Sequence, residues 1–194
     1  MKLEIVQAGH PVLRQRARPL SVAEIRTREI QKLIEAMREV MHEAPGVGLA
    51  APQLGLQLQL AVIEDREEYH KDVSEALLKE RERRPVLFHA IVNPVLEAIG
   101  EEKAEFYEGC LSVSGFSALV PRARAVRVTC LDENGENKVI EASGWYARIL
   151  QHEVDHLNGT LYIDRMASRS FTTTENLAEF WKGKPVKEIK AELE

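Results

Sequence analysis

The stretch QHEVDHLNG, residues 151–159, places two histidines four positions apart with a glutamate directly after the first. In an α-helix the side chains of residues i and i+4 lie on the same face, so His152 and His156 can direct their rings at one point. The spacing His-Glu-x-x-His is typical of metal hydrolases in which the glutamate acts as general base. The sequence therefore predicts a metal-binding helix with Glu153 beside the open position of the metal.

The residues around this stretch favour a buried helix. Ser143 is a candidate N-cap, and Asn158 with Gly159 supplies a C-terminal stop. A buried stripe that carries imidazoles costs free energy unless these groups are paired or coordinated, so metal binding is favoured over a plain helix surface. The predicted stripe consists of Trp145, Ile149, His152 and His156.

Composition limits the class of protein. The chain has 194 residues with 44% hydrophobic content, which predicts one domain over residues 1–194, with residues 174–194 as a variable tail. A net charge of -5 and a pI near 5.8 argue against a nucleic-acid-binding surface. There is no apolar run of membrane-spanning length, and the start MKLEIVQAGHPVL resembles neither a signal nor a transit peptide. We therefore expect no membrane partner and a cytoplasmic location, with a processed organelle form as the alternative.

Hydrophobic periodicity predicts an α+β fold. A long helix is expected over residues 21–44, with Ser21 and Glu24 as its capping box. The densely charged residues 64–84 are interpreted as a solvated, partly helical insertion rather than a binding patch. The tail is expected to pack against its own domain, with a docking helix as the alternative. Apolar runs predict strands at residues 58–63, 86–92, 125–131 and 138–142, the last two forming a hairpin.

A catalytic metal site of this type needs a third protein ligand and an open position for water. In one known extension of the motif the third ligand is a histidine, but this chain has Tyr162 there. Glu175 and Glu179 lie further downstream, in a tail without a helix continuous with the site. Upstream, Cys110 in FYEGCLSVSG offers a thiolate, although a lone cysteine is more often a small buried residue than a ligand.

Three separated stretches resemble the signature motifs of the peptide deformylase family: GVGLAAPQ (46–53), EGCLS (108–112) and QHEVDH (151–156). The resemblance extends from GHPVL near the N-terminus to YIDRM, which ends at Met166, and covers the tail less. SGFSALVPR and SGWYARILQHE are similar to the organelle-type branch of the family. The resemblance implies a single α+β domain of mainly antiparallel sheets around a central metal-binding helix.

The resemblance also implies the chemistry. Members of the family remove the formyl group from the N-terminal formyl-methionine of newly made polypeptides and release formate. It implies ferrous iron as the metal in the cell, with zinc, nickel or cobalt as alternatives. It assigns Glu153 as general base and the side chain of Gln53 with the backbone N–H of Leu111 as donors to the formyl oxygen. The implied metal ligands are Cys110, His152 and His156.

Substrate contacts follow from the same resemblance. An extended peptide is expected to bind along the backbone of Gly48 and Gly109. The methionine side chain is expected in a pocket lined by Val47, Trp145 and Ile149. The implied partners are formyl-methionyl nascent peptides and the ribosome near its exit tunnel, without direct nucleic-acid binding.

Two side chains near the helix carry separate expectations. Arg148 either borders the pocket entrance or faces solvent. Asp155 is expected to pair with Arg122 of the PRAR stretch and to steady the helix, as the resemblance suggests.

Two other functions compete with deformylation. A metallopeptidase would share the helix motif but would take its third ligand from downstream of the helix. A metal-stabilised, non-catalytic module that docks at the ribosome would tolerate the loss of Glu153, because that residue is not a ligand.

Overall fold

The computed structural model describes residues 3–71 and 73–193. The helices are α1 (Val22–Ile25), α2 (Arg28–Glu43), α3 (Glu75–Glu80), α4 (Gly144–Leu157), α5 (Thr174–Asn176) and α6 (Val186–Leu193). The strands are β1 (Gly48–Ala50), β2 (Leu60–Asp65), β3 (Val86–Ala98), β4 (Lys103–Cys110), β5 (Val113–Ala123), β6 (Ala125–Leu131), β7 (Asn137–Ser143) and β8 (Thr172–Thr173). These strands form two antiparallel sheets, one of five strands in the order β1-β2-β3-β6-β7 and one of three in the order β4-β5-β8.

Helix α4 carries the His-Glu-x-x-His motif and contacts strands of both sheets. One face of the helix joins the main apolar core, where Leu150 and Leu157 are almost completely buried. A helix that is covered on several sides is held firmly, so its polar side chains occupy fixed positions. The predicted α+β class is confirmed.

The helix predicted over residues 21–44 is interrupted. Ser21 and Glu24 form the expected capping box of α1, but that helix ends at Ile25. The Thr27 hydroxyl then accepts a hydrogen bond from the N–H of Ile30 and starts α2. A threonine that caps a new helix cannot also continue the previous one, because the cap residue takes extended backbone angles. The prediction of one continuous helix was therefore wrong at this point.

The predicted hairpin is confirmed, with β6 and β7 paired from Ala125 opposite Ser143 to Leu131 opposite Asn137. Strands β4 and β5 were not predicted. The sequence KAEFYEGC of β4 mixes charged and apolar residues, so it lacks an apolar run. Its pairing with β5 supplies the order that its own pattern does not indicate.

The charged segment 64–84 is helical in part, as predicted, but it is not simply solvated. Asp65 is buried and accepts two hydrogen bonds of 2.8 Å from the Arg83 guanidinium. The guanidinium of Arg81 lies 4.8 Å from the centre of the Trp145 ring in α4. Paired charges can be buried, which the charge pattern alone does not reveal. The interpretation as a purely solvated insertion was therefore wrong.

The tail packs against the rest of the chain, as predicted. Ile189 of α6 is buried, and Lys190 forms an ion pair of 2.9 Å with Glu105 of β4. In the described part of the chain, the helices are all too short or too polar to cross a membrane.

Candidate metal centre and active site

Three donor atoms converge where the end of β4 meets α4. The Nε2 atoms of His152 and His156 lie 3.2 Å apart, and Cys110 Sγ lies 3.3 Å from the Nε2 of His156. All three donor atoms lie within 4.8 Å of one another. The structure thus brings together the three residues that the sequence named as ligands.

This donor set fits a divalent transition metal. Metal–nitrogen and metal–sulfur bonds of about 2.0–2.3 Å in a tetrahedral site place neighbouring ligand atoms roughly 3.3–3.8 Å apart. The separations of 3.2 and 3.3 Å lie close to that range. A thiolate with two imidazoles suits zinc, iron, nickel or cobalt. With three protein ligands, a fourth position stays open for a small molecule.

The carboxylate of Glu108 orients the ligand His152. Its Oε2 atom lies 3.1 Å from the Nδ1 of His152, which leaves Nε2 free to face the other two donors. Burial opposes ionisation of Glu108, but hydrogen bonds and charges from His152 and Arg122 outweigh it and hold the pKa of that carboxyl well below its usual range. Glu108 is part of the EGCLS motif, but no role was predicted for it from the sequence. Its position directly before Gly109 and Cys110 was the available signal.

Arg148 belongs to the same buried network. It donates to Glu108 Oε1 at 2.5 Å and to the carbonyl oxygen of Ala104 at 2.7 Å. Only 3% of Arg148 is exposed, so the alternative of a solvent-facing arginine was wrong. The residue lies along the cavity wall, where its charge is neutralised by Glu108.

The histidine ligands differ in their protonation in the absence of an ion. Burial and the charge of the neighbouring His152 hold the pKa of His156 well below its ordinary value, so this ring is neutral. Burial opposes protonation of His152, yet hydrogen bonds and charges from Cys110 and Glu108 raise its pKa. Metal binding requires neutral imidazoles, so it would release the proton of His152.

The expected pair between Asp155 and Arg122 is present, and it is larger than expected. Arg122 donates to Asp155 Oδ2, and Arg165 donates to both carboxylate oxygens at 2.7 Å. Arg122 also donates two hydrogen bonds to Glu108. The carboxylate of Asp155 therefore links α4 to the network that holds His152.

Replacing Asp155 with asparagine is expected to lower the free energy of unfolding by about 3 kcal/mol, because it removes one charge from a mostly buried network. For a chain of this size, that loss corresponds to a fall in Tm of roughly 6–12 °C. Urea and thermal unfolding measure both values. Glu141→Gln breaks the exposed pair with Arg127 and should leave the free energy of unfolding close to the wild-type value. Equal losses in the two variants would show that the Asp155 network is not structural.

Glu153 lies beside the three donor atoms and lines the same cavity. Burial raises the pKa of this carboxyl to about 7. Its Oε2 atom has no hydrogen-bond partner within residues 3–71 and 73–193. A carboxylate with a pKa near neutrality and an unused oxygen can both take up and release a proton.

The backbone of Gly48 fixes the space available to Glu153. A Cβ atom placed on Gly48 would lie 2.2 Å from Oε1 of Glu153 and 2.6 Å from its Cδ. No real side chain tolerates such contacts, so the carboxyl group would have to move.

Gly48→Ala is therefore expected to lower kcat by about a hundredfold, because a misplacement of 1 Å at a catalytic group costs that much. The metal content should stay at the wild-type level, since the close contacts are all with Glu153. Turnover and metal stoichiometry measured on the same preparation check both statements. Activity within threefold of wild type would contradict this account of Gly48.

Gln53 is almost completely buried and its amide is oriented by its own backbone turn. Its Oε1 accepts a hydrogen bond of 2.8 Å from the N–H of Ala50, so Nε2 points the other way. Nε2 lies 3.6 Å from Cys110 Sγ and 3.3 Å from Ser112 Oγ. Leu111 directly follows Cys110, and both residues line one cavity together with Gln53. The family resemblance implies that the backbone N–H of Leu111 is the second donor to the formyl oxygen.

Ser112 was not singled out by the sequence. It is fully buried, and its backbone N–H donates to Cys110 Sγ at 3.4 Å. Ser112 and Gln53 therefore both donate hydrogen bonds to the sulfur atom of Cys110. Its place two residues after the cysteine in EGCLS was the only signal.

A cavity of about 540 Å³ is lined by Cys110, His152, Glu153 and Gln53. The five residues that the sequence assigned to substrate binding all line it: Val47, Gly48, Gly109, Trp145 and Ile149. The cavity is also lined by Arg81 of the charged segment, which the sequence did not place there.

The residues downstream of the helix do not belong to the cluster of donor atoms. Tyr162 donates its hydroxyl to the carbonyl oxygen of Phe116 at 3.1 Å. Glu175 lies at the exposed start of the tail, in α5. Within the described ranges, only Cys110, His152 and His156 form a cluster that could hold an ion.

Comparison with known proteins gives consistent matches. The family model described as polypeptide deformylase matches residues 2–171. A chloroplastic peptide deformylase 1A of Solanum lycopersicum is 52% identical over 174 residues, which are 90% of this chain and 63% of that protein. A peptide deformylase of Bifidobacterium adolescentis is 47% identical over 192 residues, 98% of this chain and 85% of that protein.

A solved structure is similar over most of its length. The class I type b peptide deformylase from Acinetobacter baumannii, crystallised with Met-Ala-Ser bound, matches with a TM-score of 0.76 at 32% identity. The match covers 86% of this chain and 99% of that one. The chain spans 63% and 65% of the length of the two plant proteins that it matches.

Proposed function

Since the chain belongs to the peptide deformylase family, we propose that it is a metal-dependent hydrolase that removes the formyl group from N-terminal formyl-methionine. The substrates are newly made polypeptides, and formate is the second product. The observation that carries the proposal is the convergence of the donor atoms of Cys110, His152 and His156, two of which line one cavity together with Glu153.

Cys110, His152 and His156 would hold the metal, and ferrous iron is the ion that we propose for the cell. When bound, such an ion supplies Lewis-acid chemistry, which makes a water more acidic and polarises the formyl carbonyl. The thiolate distinguishes this site from all-histidine and histidine–carboxylate sites and also accommodates zinc, nickel or cobalt.

Glu153 moves the proton. Its free Oε2 accepts the proton of the attacking water, and the same carboxyl then delivers that proton to the departing amine. Burial brings its pKa to about 7, so the carboxyl can be protonated or ionised near neutral pH. The absence of a side chain at Gly48 leaves the space that this carboxyl occupies.

Gln53 and Leu111 would stabilise the negative charge that develops on the formyl oxygen. The amide of Gln53 is held by the N–H of Ala50, so its Nε2 donor is already in place before the substrate arrives. Preorganised donors of this kind contribute about 2.7–4 kcal/mol each to the barrier in other acyl-transfer enzymes. The backbone N–H of Leu111 is the second proposed donor.

The peptide would bind in extended form along Gly48 and Gly109, with the methionine side chain against Val47, Trp145 and Ile149. Strand β4 lies at the edge of its sheet, which leaves the side away from β5 available to an extended peptide. The Acinetobacter baumannii protein binds Met-Ala-Ser, which is a peptide of the proposed product type.

Formate release from formyl-Met-Ala-Ser tests this function, with anaerobically purified protein and metal analysis of the same sample. We expect turnover that rises with the metal content. A sample with a full equivalent of metal and no formate would overturn the proposal. Cleavage of internal peptide bonds would favour a metallopeptidase, and binding to ribosomes without any turnover would favour the non-catalytic module.

We further propose that the enzyme meets its substrates near the ribosomal exit tunnel, either in a bacterial cytoplasm or, as a processed form, in an organelle. Relatives with chloroplastic and mitochondrial names and bacterial relatives both match the chain. Cosedimentation with translating ribosomes tests the first statement, and its absence would contradict it.

A further inference from the structure

Arg81 is a charged group in the cavity wall that the proposed chemistry does not use. Its guanidinium lies over two aromatic rings, 4.8 Å from the centre of Trp145 and 5.5 Å from that of Phe106. Such cation–π contacts fix the plane of an arginine without neutralising its charge.

The charge of Arg81 is only partly offset, by the neighbouring Glu80. Within residues 3–71 and 73–193, no carboxylate lies within ion-pair distance of it, and its Nε has no hydrogen-bond partner. Neighbouring arginines form ion pairs instead, Arg83 with Asp65 and Arg148 with Glu108. Burial, together with the charges of Arg83 and Arg148, lowers the pKa of Arg81 to about 10, so it is still charged at neutral pH.

Arg81 lies where two cavities meet. A second cavity of about 520 Å³ lies between α3 and the tail, and it shares Arg81, Tyr107 and Thr174 with the cavity of the metal centre. Tyr107 and Gly109 are two residues apart on β4 and lie on the same face of the strand. A peptide that follows β4 from Gly109 would therefore reach the boundary between the cavities.

The second cavity combines apolar walls with positive charge. Its charged residues are Glu80, Arg81, Lys182 and Lys184, and Lys184 is paired with Glu192 at 2.8 Å. Leu77, Trp181 and Ile189 contribute apolar surface. The charge favours an occupant that carries a carboxylate, and a planar guanidinium can bind a carboxylate through two hydrogen bonds.

We propose that Arg81 forms a subsite for an acidic side chain in the first residues after the formyl-methionine of the substrate. The proposal rests on the proposed function, because it takes the peptide and its position from there. Arg81 would thus set a preference among nascent chains for Asp or Glu close to the N-terminus.

The test is a series of formyl-Met peptides with amidated C-termini that carry Glu, Ala or Lys at position two, three or four. At one position, kcat/KM for the Glu peptide should exceed that for the Ala peptide by roughly five- to tenfold, and the Lys peptide should be slower than the Ala peptide. The Glu advantage should decrease as the salt concentration rises from 0.05 to 0.5 M, because salt screens partly exposed charges.

Arg81→Gln should remove the Glu advantage, whereas Arg81→Lys should keep part of it, since lysine keeps the charge but not the planar donor pair. Arg84→Gln is the matched control: Arg84 is exposed, belongs to the same segment and lines neither cavity. That variant should keep the full ratio. Each ratio compares two peptides on one enzyme, so a change in overall activity cancels.

The outcomes separate the subsite from the reaction. If the wild type releases formate from the Ala peptide but shows no Glu advantage at any position, the subsite is refuted and the proposed function stands. An advantage that appears only with free C-terminal acids would assign Arg81 to a terminal carboxylate and also refute the side-chain subsite. Absence of formate from every peptide would refute the proposed function itself.

Discussion

Replacing Glu153 with glutamine is expected to lower kcat for formate release by about a thousandfold while the metal content stays at the wild-type level. The substitution keeps the size of the side chain and its place beside Gly48, so the fold should be unaffected. What it removes is the basic oxygen: the carboxylate Oε2, which has no partner in the described chain, becomes part of an amide that cannot take up a proton.

Glu35→Gln is the control for Glu153→Gln, because it makes the same chemical change at an exposed position on α2. It should leave turnover and metal content unchanged. Metal content equal to that of the wild type, combined with activity within tenfold of it, would refute the role of Glu153 as the proton carrier. That result would favour a reaction in which a water or another side chain moves the proton.

Cys110→Ser is expected to weaken metal affinity by at least about a hundredfold. Loss of a residue that only hydrogen-bonds to a metal ligand already weakens affinity by up to about a hundredfold, and loss of the ligand itself should weaken it more. A serine hydroxyl is normally protonated and is a poor ligand, whereas a thiolate binds iron and zinc strongly. After dialysis the variant should retain little metal, and formate release should fall with it.

Cys130→Ser is the matched control for Cys110→Ser. Cys130 is buried in the main core, where burial raises the pKa of its thiol to about 11, so it stays protonated. Its serine variant should lose some stability and keep a full equivalent of metal. If Cys110→Ser instead keeps a full equivalent of metal and releases formate normally, both the ligand assignment and deformylation are excluded together.

The sequence predicted the parts of the fold and site that depend on neighbours along the chain. His152 and His156 are one helical turn apart, so their convergence follows from helix geometry alone. The hairpin of β6 and β7 is likewise local, with its turn residues between two short strands. The family resemblance supplied Cys110 as third ligand, and the membership in the peptide deformylase family is confirmed.

Other parts depend on groups that are distant in sequence. From the sequence alone, Arg148 is as typical of the surface as of the interior. It is buried because it pairs with Glu108, which is forty positions away. The same holds for Arg83. In the sequence it is one of many charged residues in the segment 64–84, but in the structure it pairs with the buried Asp65. Strand β4 is ordered by β5 rather than by its own pattern. The structure of these residues depends on pairing between segments that are distant in sequence. Such pairing cannot be predicted from the local pattern of a single sequence.

The contact between Gly48 and Glu153 also has an evolutionary consequence. A side chain at position 48 would displace the carboxyl of Glu153, and a residue shorter than glutamate at position 153 would leave the proposed proton carrier out of reach of its target. Each single change is therefore selected against for a different reason, and the two positions are epistatic. A saturation library over both codons should recover active clones only with glycine at 48 and glutamate at 153, so drift at either site is arrested by the other.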